Sequence, residues 1–378
     1  MSTVERGAPV VHVTTVHPRD DIRVFRKECV SLAQAGYTVV QVVGDGKGNA
    51  VESGVRIVDI GRSPGGRVAR MWSQSRRALA QVRELRPRLV HLHDPELLPL
   101  GVALARDCVP VVYDAHEDVP RQILTKQWIP AVWRRPLASA FELYENRSAS
   151  RLAAVCAATP HIARRFAAVA PISVNVSNFP FLEELAPAAA PRPRERAVCY
   201  VGGLTRTRGV LQMVRALAHA PGVRLILCGR FEDAALEAEL LAEPNWSRVE
   251  FLGQVGRDAV RQVMARSAAG LVTLLPMPSY VDALPIKMFE YMSAELPVVA
   301  SDFPLWREIV DQAGCGVCVD PQDPRAIGQA MLAFVNDAQR VHAAGQAGRR
   351  AVIERYHWPA AEGELLALYE RLLGPGQG

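Results

Sequence analysis

"LPIKMFEYMSAELPVVASDFPLW", residues 284–306, decides the fold. Pro285 opens a helix-length segment, Pro297 closes it, and Val298, Val299 and Ala300 follow as an apolar run. Runs of this kind read as strands buried on both faces, in a parallel sheet covered by helices. Lys287 and Glu290 stand in the first turns of the helix. A base and an acid there form either a surface ion pair or part of a site, because the open amides of a helix start attract anions.

Outward from this stretch the same alternation recurs. "VVHVTTV" (10–16) precedes the helical "RVFRKECVSLAQAGY", in which Gly36 reads as a C-cap. "TVVQVVG", "VRIVDIG", "LVHLH", "PVVYDAH", "LAAVCAA" and "ISVNVSN" continue the first half. "FPFLEELAPAAAPRPRER" (179–196) then breaks the rhythm with Pro and Ala and no period. "AVCYVGG", "VRLILCG", "VEFLG", "AAGLVTLL", "PVVAS" and "GVCVD" restart it. The expected class is α/β, with two Rossmann-like doubly wound domains facing across a cleft and ligands at the carboxyl ends of the strands. Expected boundaries are 1–183 for the first domain, 184–195 for a linker and 196–358 for the second domain. The amphipathic tail, 359–378, is expected to cross back to the first domain.

The 378 residues provide for two cores, and 22% charged residues is an ordinary globular share. No apolar run reaches the roughly eighteen residues of a spanning helix. The opening "MSTVERGAPVV" lacks the pattern of a secretory signal. The seven cysteines sit mostly in apolar runs and read as buried thiols of a reducing compartment, Cys315-x-x-Cys318 included. A cytoplasmic location is expected. The net charge of +5 says less than its placement. "GRVARMWSQSRRALAQVRELRPR" (66–88) and "KQWIPAVWRRPLASAFELYENRSASR" (126–151) mix Arg with Trp, Leu and Phe. That mixture suits helices lying peripherally on an anionic membrane face, or solvated helices with arginine stems over apolar surface. No nucleic-acid-binding motif occurs, so no nucleic-acid partner is expected.

Polar residues gather just after strands. His17 and Asp21 follow the first; His91, His93, Asp94 and Glu96 end "LVHLHDPE"; Asp114, His116, Glu117 and Asp118 end "VVYDAHED". Singly, a histidine is usually a satisfied structural residue; three clusters at strand ends point to a site. In the second half, "YVGGLTRTRGV" (200–210) joins a strand to a helix. Gly202 and Gly203 admit close backbone approach, and Arg206 and Arg208 add charge. This reads as a diphosphate cradle, although it is no Walker loop. "GDGKGN" (44–49) precedes a strand and reads as a turn. The amides of Ala283 and Leu284 are expected to be free at the start of the opening helix, with Pro285 at its first position. Glu290 is placed to accept from ribose hydroxyls and Lys287 to pair with a phosphate.

Taken together, these stretches resemble the retaining glycosyltransferases of the GT-B fold, most like glycosyltransferase family 4. The likeness runs through "VHPRDDIRVFRKECVSLAQAGYTVV", "LVHLHDPELL", "VVYDAHED", "YVGGLTRTRGV" and "LPIKMFEYMSAELPVVASDFP". It implies transfer of a hexosyl or related group from a nucleotide diphosphate sugar, a UDP- or GDP-sugar, with retention of configuration. The N-terminal domain would bind the acceptor and the C-terminal domain the nucleotide sugar. The family signature of two acidic residues separated by seven falls on Asp282 and Glu290. The resemblance implies that Glu290 binds the donor ribose and that Asp282 approaches the transferred sugar. His116 matches the histidine that faces that sugar, and Gly253, Gln254 and Val255 match the nucleobase loop. Gly203 stands where relatives carry arginine, Arg208 where they carry lysine, and Glu295 where many carry glycine.

His116, Asp282, Arg206 and Arg208 are therefore the expected catalytic residues. Gly202, Gly203, Gly253, Gln254, Val255, Ala283, Leu284, Lys287 and Glu290 are expected to bind the donor. His17, Asp21, His93, Asp94 and Glu117 are expected to face the acceptor. No cofactor and no metal ligands are expected, since cations and a helix start can stabilise a diphosphate leaving group. The basic, Trp-bearing helices suggest a lipid-linked or oligosaccharide acceptor in surface polysaccharide or lipopolysaccharide synthesis, on the inner face of the cell membrane. Competing readings are a metal-dependent hydrolase or deacetylase built on the His and Asp clusters, a nucleotide-sugar epimerase or hydrolase on the same fold, and a non-catalytic nucleotide-sugar-binding subunit.

Overall fold

The computed structural model describes residues 7–62, 67–126, 128–185 and 194–374. The expected linker therefore lies outside the described residues from 186 to 193. The chain divides into two compact units, Met1–Asn178 with Pro359–Gly378, and Phe179–Trp358. The division at Asn178 falls earlier than the composition break suggested. Phe179 already belongs to the second core, its ring 4.9 Å from that of Phe289 and 5.5 Å from that of Tyr356.

The first unit holds eight strands: β1 (Val10–Val13), β2 (Val39–Val43), β3 (Ala50–Glu52), β4 (Val55–Asp59), β5 (Leu89–Leu92), β6 (Val111–Ala115), β7 (Ala154–Ala157) and β8 (Ser173–Asn175). Their order in the sheet is β3-β4-β2-β1-β5-β6-β7-β8. Seven run parallel. The exception, β3, pairs antiparallel with β4 and was not expected. Ser53 and Gly54, with φ of 49° and 79°, make the tight reversal between them. The central strands are buried throughout, as their unbroken apolar runs require.

Register matters more than length here. His12 in β1 lies directly across from His91 in β5. Because alternate residues of a strand share a face, His93 continues the same row. Over that row packs Ile22–Cys29, wound as a π-helix and started by Asp21, whose Oδ1 accepts the amides of Arg23 and Val24. The wider turn, common at functional sites, accompanies burial of Arg23, Lys27 and Glu28 alongside Val24 and Phe25.

The second unit holds β9 (Ala197–Val201), β10 (Arg224–Cys228), β11 (Val249–Gly253), β12 (Ala269–Val272), β13 (Val298–Ser301) and β14 (Gly316–Val319). All are parallel, in the order β11-β10-β9-β12-β13-β14. The order reverses between β9 and β12, and ligands of such sheets bind outside the strand ends at that point. Two segments stand there, the glycine loop after β9 and residues 273–285 after β12. Cys315 and Cys318 are free thiols, both pushed up to about 12 by burial, so neither is a ready thiolate. Among the described residues no helix is long and apolar enough to cross a membrane.

Candidate functional site

In the second unit the glycine loop keeps pairing with the end of β10. The Gly202 amide donates to Cys228 O at 2.7 Å and that of Leu204 to Arg230 O at 2.9 Å. Thr205 Oγ1 accepts the Arg208 amide at 3.2 Å and opens the single turn Arg206–Arg208. That turn is tied to the segment after β12: the Leu275 amide donates to Thr207 O at 2.9 Å, and the Thr207 and Tyr280 hydroxyls meet at 3.3 Å. Asp282 stands in this second segment, partly buried, and the carbonyl of its neighbour Ala283 accepts from buried Trp306 Nε1 at 2.7 Å.

Two cations lie on the bare glycine backbone. A Cβ placed on Gly202 would sit 2.1 Å from Lys287 Cε, and one on Gly203 would sit 2.9 Å from Arg208 Nη1. Arg208 Nη1 also donates to Gly203 O at 3.5 Å. Among the described residues no carboxylate comes within ion-pair distance of either cation. Burial first, and Arg208 next, push the Lys287 ammonium down to about 8. Two neighbouring cations without a counter-ion are destabilising when partly desolvated, and an anion between them would relieve both terms.

The structure corrects three expectations in this unit. Arg206 does not join the pair: its guanidinium is taken up by Glu239 at the surface. The helix runs Ile286–Ser293 with Pro285 as its N-cap, so Pro285 is not its first position. Ala283 is also no free donor, since its amide already donates to Tyr280 O at 3.1 Å. Leu284 precedes the cap, and the amides of the first turn that lack an acceptor within the helix are those of Ile286 and Lys287. Glu290, one turn on, is bound by Arg257 Nη1 at 2.7 Å. Arg257 begins the helix that follows Gly253, Gln254 and Val255. Gly253 has φ 64° and its carbonyl accepts the Gly229 amide at 2.7 Å; Gln254 is exposed, and Val255 packs against the core. Glu295, where the family resemblance leads one to expect glycine, has φ 53° just past the helix end. This left-handed position favours glycine, and the glutamate is held there by Arg194 donating to its carbonyl at 2.7 Å.

The first unit brings its clusters together in one buried network. Asp114 accepts a bidentate pair from Arg23 at 2.9 and 2.6 Å. Its Oδ2 lies 2.6 Å from His116 Nε2 and 3.2 Å from His93 Nδ1. Burial alone would raise this carboxyl; the Arg23 guanidinium and then His116 hold it well below the usual range, so it is an anion. His93 Nε2 faces His12 Nδ1 at 2.8 Å, His12 Nε2 faces the Tyr369 hydroxyl at 3.0 Å, and that hydroxyl faces His91 Nδ1 at 2.9 Å. Burial drives His12, His91 and His93 below their usual values, which keeps them neutral. Glu28 is raised well above its usual range by burial and then by Asp114, although Arg23 Nε lies 3.2 Å away.

The five expected acceptor residues divide. His17 reaches Asp21 and Asp94 at 3.5 Å each, and its ring centroid lies 4.8 Å from that of His116. The Asp21 contact raises His17; Asp21, which burial would raise, is brought down to about 2 by His17 and backbone amides. Asp94 Oδ2 accepts from the Thr15 amide at 2.6 Å and the Thr14 hydroxyl at 3.0 Å. His93 is only 1% exposed, so it meets the network and not a ligand. Glu117 is exposed and takes its hydrogen bond from Gln122, outside the network. His12, Glu28, His91 and His93 form one group compact enough for a cation, and His93, Asp114 and His116 another. The ring nitrogens of His12 and His93 already face partners within the network, whereas His91 Nε2 faces none.

Sequence reasoning missed Arg23, Glu28, His12, Tyr369 and Arg257. The histidine row could have been found from the strand alternation, since His91 and His93 are two apart. Nothing local marks Tyr369, which lies 357 positions from His12.

Two family models match the chain: "Glycosyltransferase Family 4" over residues 23–176, and "Glycosyl transferases group 1" over residues 183–351. An alpha-maltose-1-phosphate synthase of Mycolicibacterium smegmatis is 32% identical, over 46% of this chain and 48% of its own length. The chain thus matches about half the length of that relative. A phosphatidyl-myo-inositol mannosyltransferase of the same organism is 27% identical, over 76% of this chain and 72% of its own. In fold, a sucrose-phosphate synthase from Thermosynechococcus elongatus superposes with a TM-score of 0.78 at 18% identity, covering 96% of this chain and 98% of that one.

Proposed function

The chain belongs to the GT-B glycosyltransferases of family 4, and from that premise we propose that it transfers a hexosyl or related group from a UDP- or GDP-sugar, with retention and without a metal ion. The observation that carries this reading is the pair Lys287 and Arg208 on the Gly202–Gly203 backbone. In this reading the diphosphate lies against these cations and the open amides of Ile286 and Lys287. Charge that develops on the leaving nucleoside diphosphate is met by groups already in place, which act without reorganising. Glu290 accepts from the ribose, Gly253–Val255 line the nucleobase, Asp282 approaches the transferred sugar, and His116, paired with Asp114, takes the role of the histidine that acts on that sugar.

The proposed acceptor is a lipid-linked glycan intermediate of surface polysaccharide synthesis. Support comes from Trp128 and Trp133, 70% and 59% exposed on a basic stretch of the first unit, and from the relative named a phosphatidyl-myo-inositol mannosyltransferase. The proposed location is the cytoplasm, at the inner face of the membrane.

The test is thermal unfolding with UDP, GDP, ADP and dTDP, each with and without chelator, followed by product analysis with the matching sugar. A nucleotide at a hundred times its dissociation constant stabilises by about 2.7 kcal/mol. One nucleotide raising the midpoint regardless of chelator, then an axial product from an axial donor, is the expected result. A response to divalent metal alone would move the metal-dependent hydrolase to first place.

A further inference from the structure

The buried histidines of the first unit form a hydrogen-bond chain whose direction can be derived. Asp114 is an acceptor only, so His93 Nδ1 and His116 Nε2, both facing its Oδ2, must each carry a proton. Buried His93 is neutral, so its Nε2 holds a lone pair, and the partner 2.8 Å away, His12 Nδ1, must be the donor. Neutral His12 then has a bare Nε2, to which the Tyr369 hydroxyl donates at 3.0 Å. The Tyr369 oxygen in turn accepts from His91 Nδ1 at 2.9 Å. This assignment leaves one ring nitrogen at the end of the chain with nothing to accept from, His91 Nε2. That atom is the ring nitrogen of this row that the structure shows buried without a hydrogen-bond partner.

We propose that Tyr369, on the C-terminal helix, is a positioning residue: through His12 and His93 it fixes a single tautomer along the row and so holds the Asp114–His116 pair in one arrangement. The step from row to pair is geometric. His93 Nδ1 and His116 Nε2 share one carboxylate oxygen and lie 3.3 Å apart, so any reorientation of His93 changes what His116 can donate to. Between His12 and His91 the row passes through the Tyr369 hydroxyl, and that hydroxyl both donates and accepts, which an imidazole fixed in one tautomer can do only in a set direction. The same side chains do not need a cation to explain their convergence, because His12 and His93 already satisfy each other. The proposal rests on the reading of His116 as the histidine that acts on the sugar.

The experiment is nitrogen NMR of the full-length protein with labelled histidine, on the wild type, Tyr369→Phe and Tyr37→Phe. Tyr37 packs edge-on against Tyr369, 5.6 Å between ring centroids, and its hydroxyl donates to Gly374 O, so it fastens the same helix without entering the chain. In the wild type, His12, His91 and His93 should each show a protonated Nδ1 and a bare Nε2, and His116 a protonated Nε2. Tyr369→Phe should mix the tautomers of His12 and His116, while Tyr37→Phe should leave both unchanged. Release of nucleoside diphosphate from the donor sugar should fall about ten-fold in Tyr369→Phe at unchanged donor KM. Wild-type His12 protonated on Nε2, or His116 unchanged in Tyr369→Phe, overturns the proposal, as does metal found bound to the row. If His116→Ala retains full release, the reading of His116 fails instead, whatever the tautomers show.

Discussion

Arg257 Nη1 stands 2.7 Å from Glu290 Oε1, and its Nη2 stands 3.2 Å from Glu184 Oε2. The first residue of the helix after the expected nucleobase loop therefore orients the expected ribose carboxylate. An ionised carboxylate has about four acceptor positions, so one bond to Arg257 leaves room for two vicinal hydroxyls. Glu290→Ala should weaken UDP or GDP binding about ten-fold or more and leave inorganic pyrophosphate binding unchanged, as titration calorimetry would show. Equal losses for both ligands would move Glu290 from the ribose to the phosphates. Arg257→Ala should change stability by less than about 1 kcal/mol, because the pair is half open to solvent.

Lys287 gives the proposed donor site a pH signature. Its ammonium is pushed down to about 8 from 10.5 by burial and Arg208. A cation whose folded pKa is depressed destabilises the fold while charged, so stability contributed by this group rises with pH between about 8 and 10.5. Binding runs the other way. A diphosphate favours the ammonium, so nucleotide affinity should fall as pH rises above about 8, and binding near that pH should take up a proton. Calorimetry in buffers of different ionisation enthalpy measures this uptake, and Lys287→Met should abolish it. Uptake that persists in the variant would assign the proton to another group.

The fold was legible in the sequence to the degree that burial follows from local pattern. Unbroken runs such as "VVHV" and "LVHL" specify strands covered on both faces, and the Pro-rich break marks a change of domain. The antiparallel β3 was not legible, because Ala50–Glu52 is short and half exposed and carries no apolar run. At the site, residue types were readable and partners were not. Arg206 and Arg208 look equivalent in "TRTR", yet a turn of three residues sends one to Glu239 and the other to Gly203. The π-helix was equally hidden: one extra residue per turn changes which side chains enter the core, and it carries the charged Arg23 and Glu28 inside.

Two glycines of the cradle should respond differently to the same added methyl group. A Cβ on Gly229 would lie 1.8 Å from Gly202 O, a backbone atom pinned between β9 and β10. Gly229→Ala must part those strand ends and should cost about 3 kcal/mol or more. A Cβ on Gly202 meets mainly the end of the flexible Lys287 side chain. Gly202→Ala should cost about 1–3 kcal/mol, from its φ of 140°, while displacing the ammonium and removing most pyrophosphate affinity. Denaturant midpoints and calorimetry on the two variants separate the effects. Intact pyrophosphate binding in Gly202→Ala would take the diphosphate away from this loop.

The surface of the first unit makes the last prediction. Trp128, Val132 and Trp133 are 70%, 75% and 59% exposed, and Leu137 and Leu143 are also exposed along Ala131–Ala149. Lys126 lies 5.8 Å over the Trp128 ring, and Arg134 and Arg135 interrupt the apolar positions. Large apolar groups exposed together are costly in water and usually serve an interface. Tryptophan beside arginine and lysine fits the boundary of an anionic bilayer, where each basic residue adds about 1 kcal/mol at low ionic strength. The protein should therefore sediment with vesicles containing anionic lipid, less so as salt rises, and not with neutral ones. Trp128→Ser with Trp133→Ser should abolish sedimentation while nucleotide binding in the second unit stays intact, because none of the cradle residues lies in this segment. Sedimentation indifferent to salt and to both tryptophans would remove the membrane from the reading and leave a dissolved glycan as the acceptor to test.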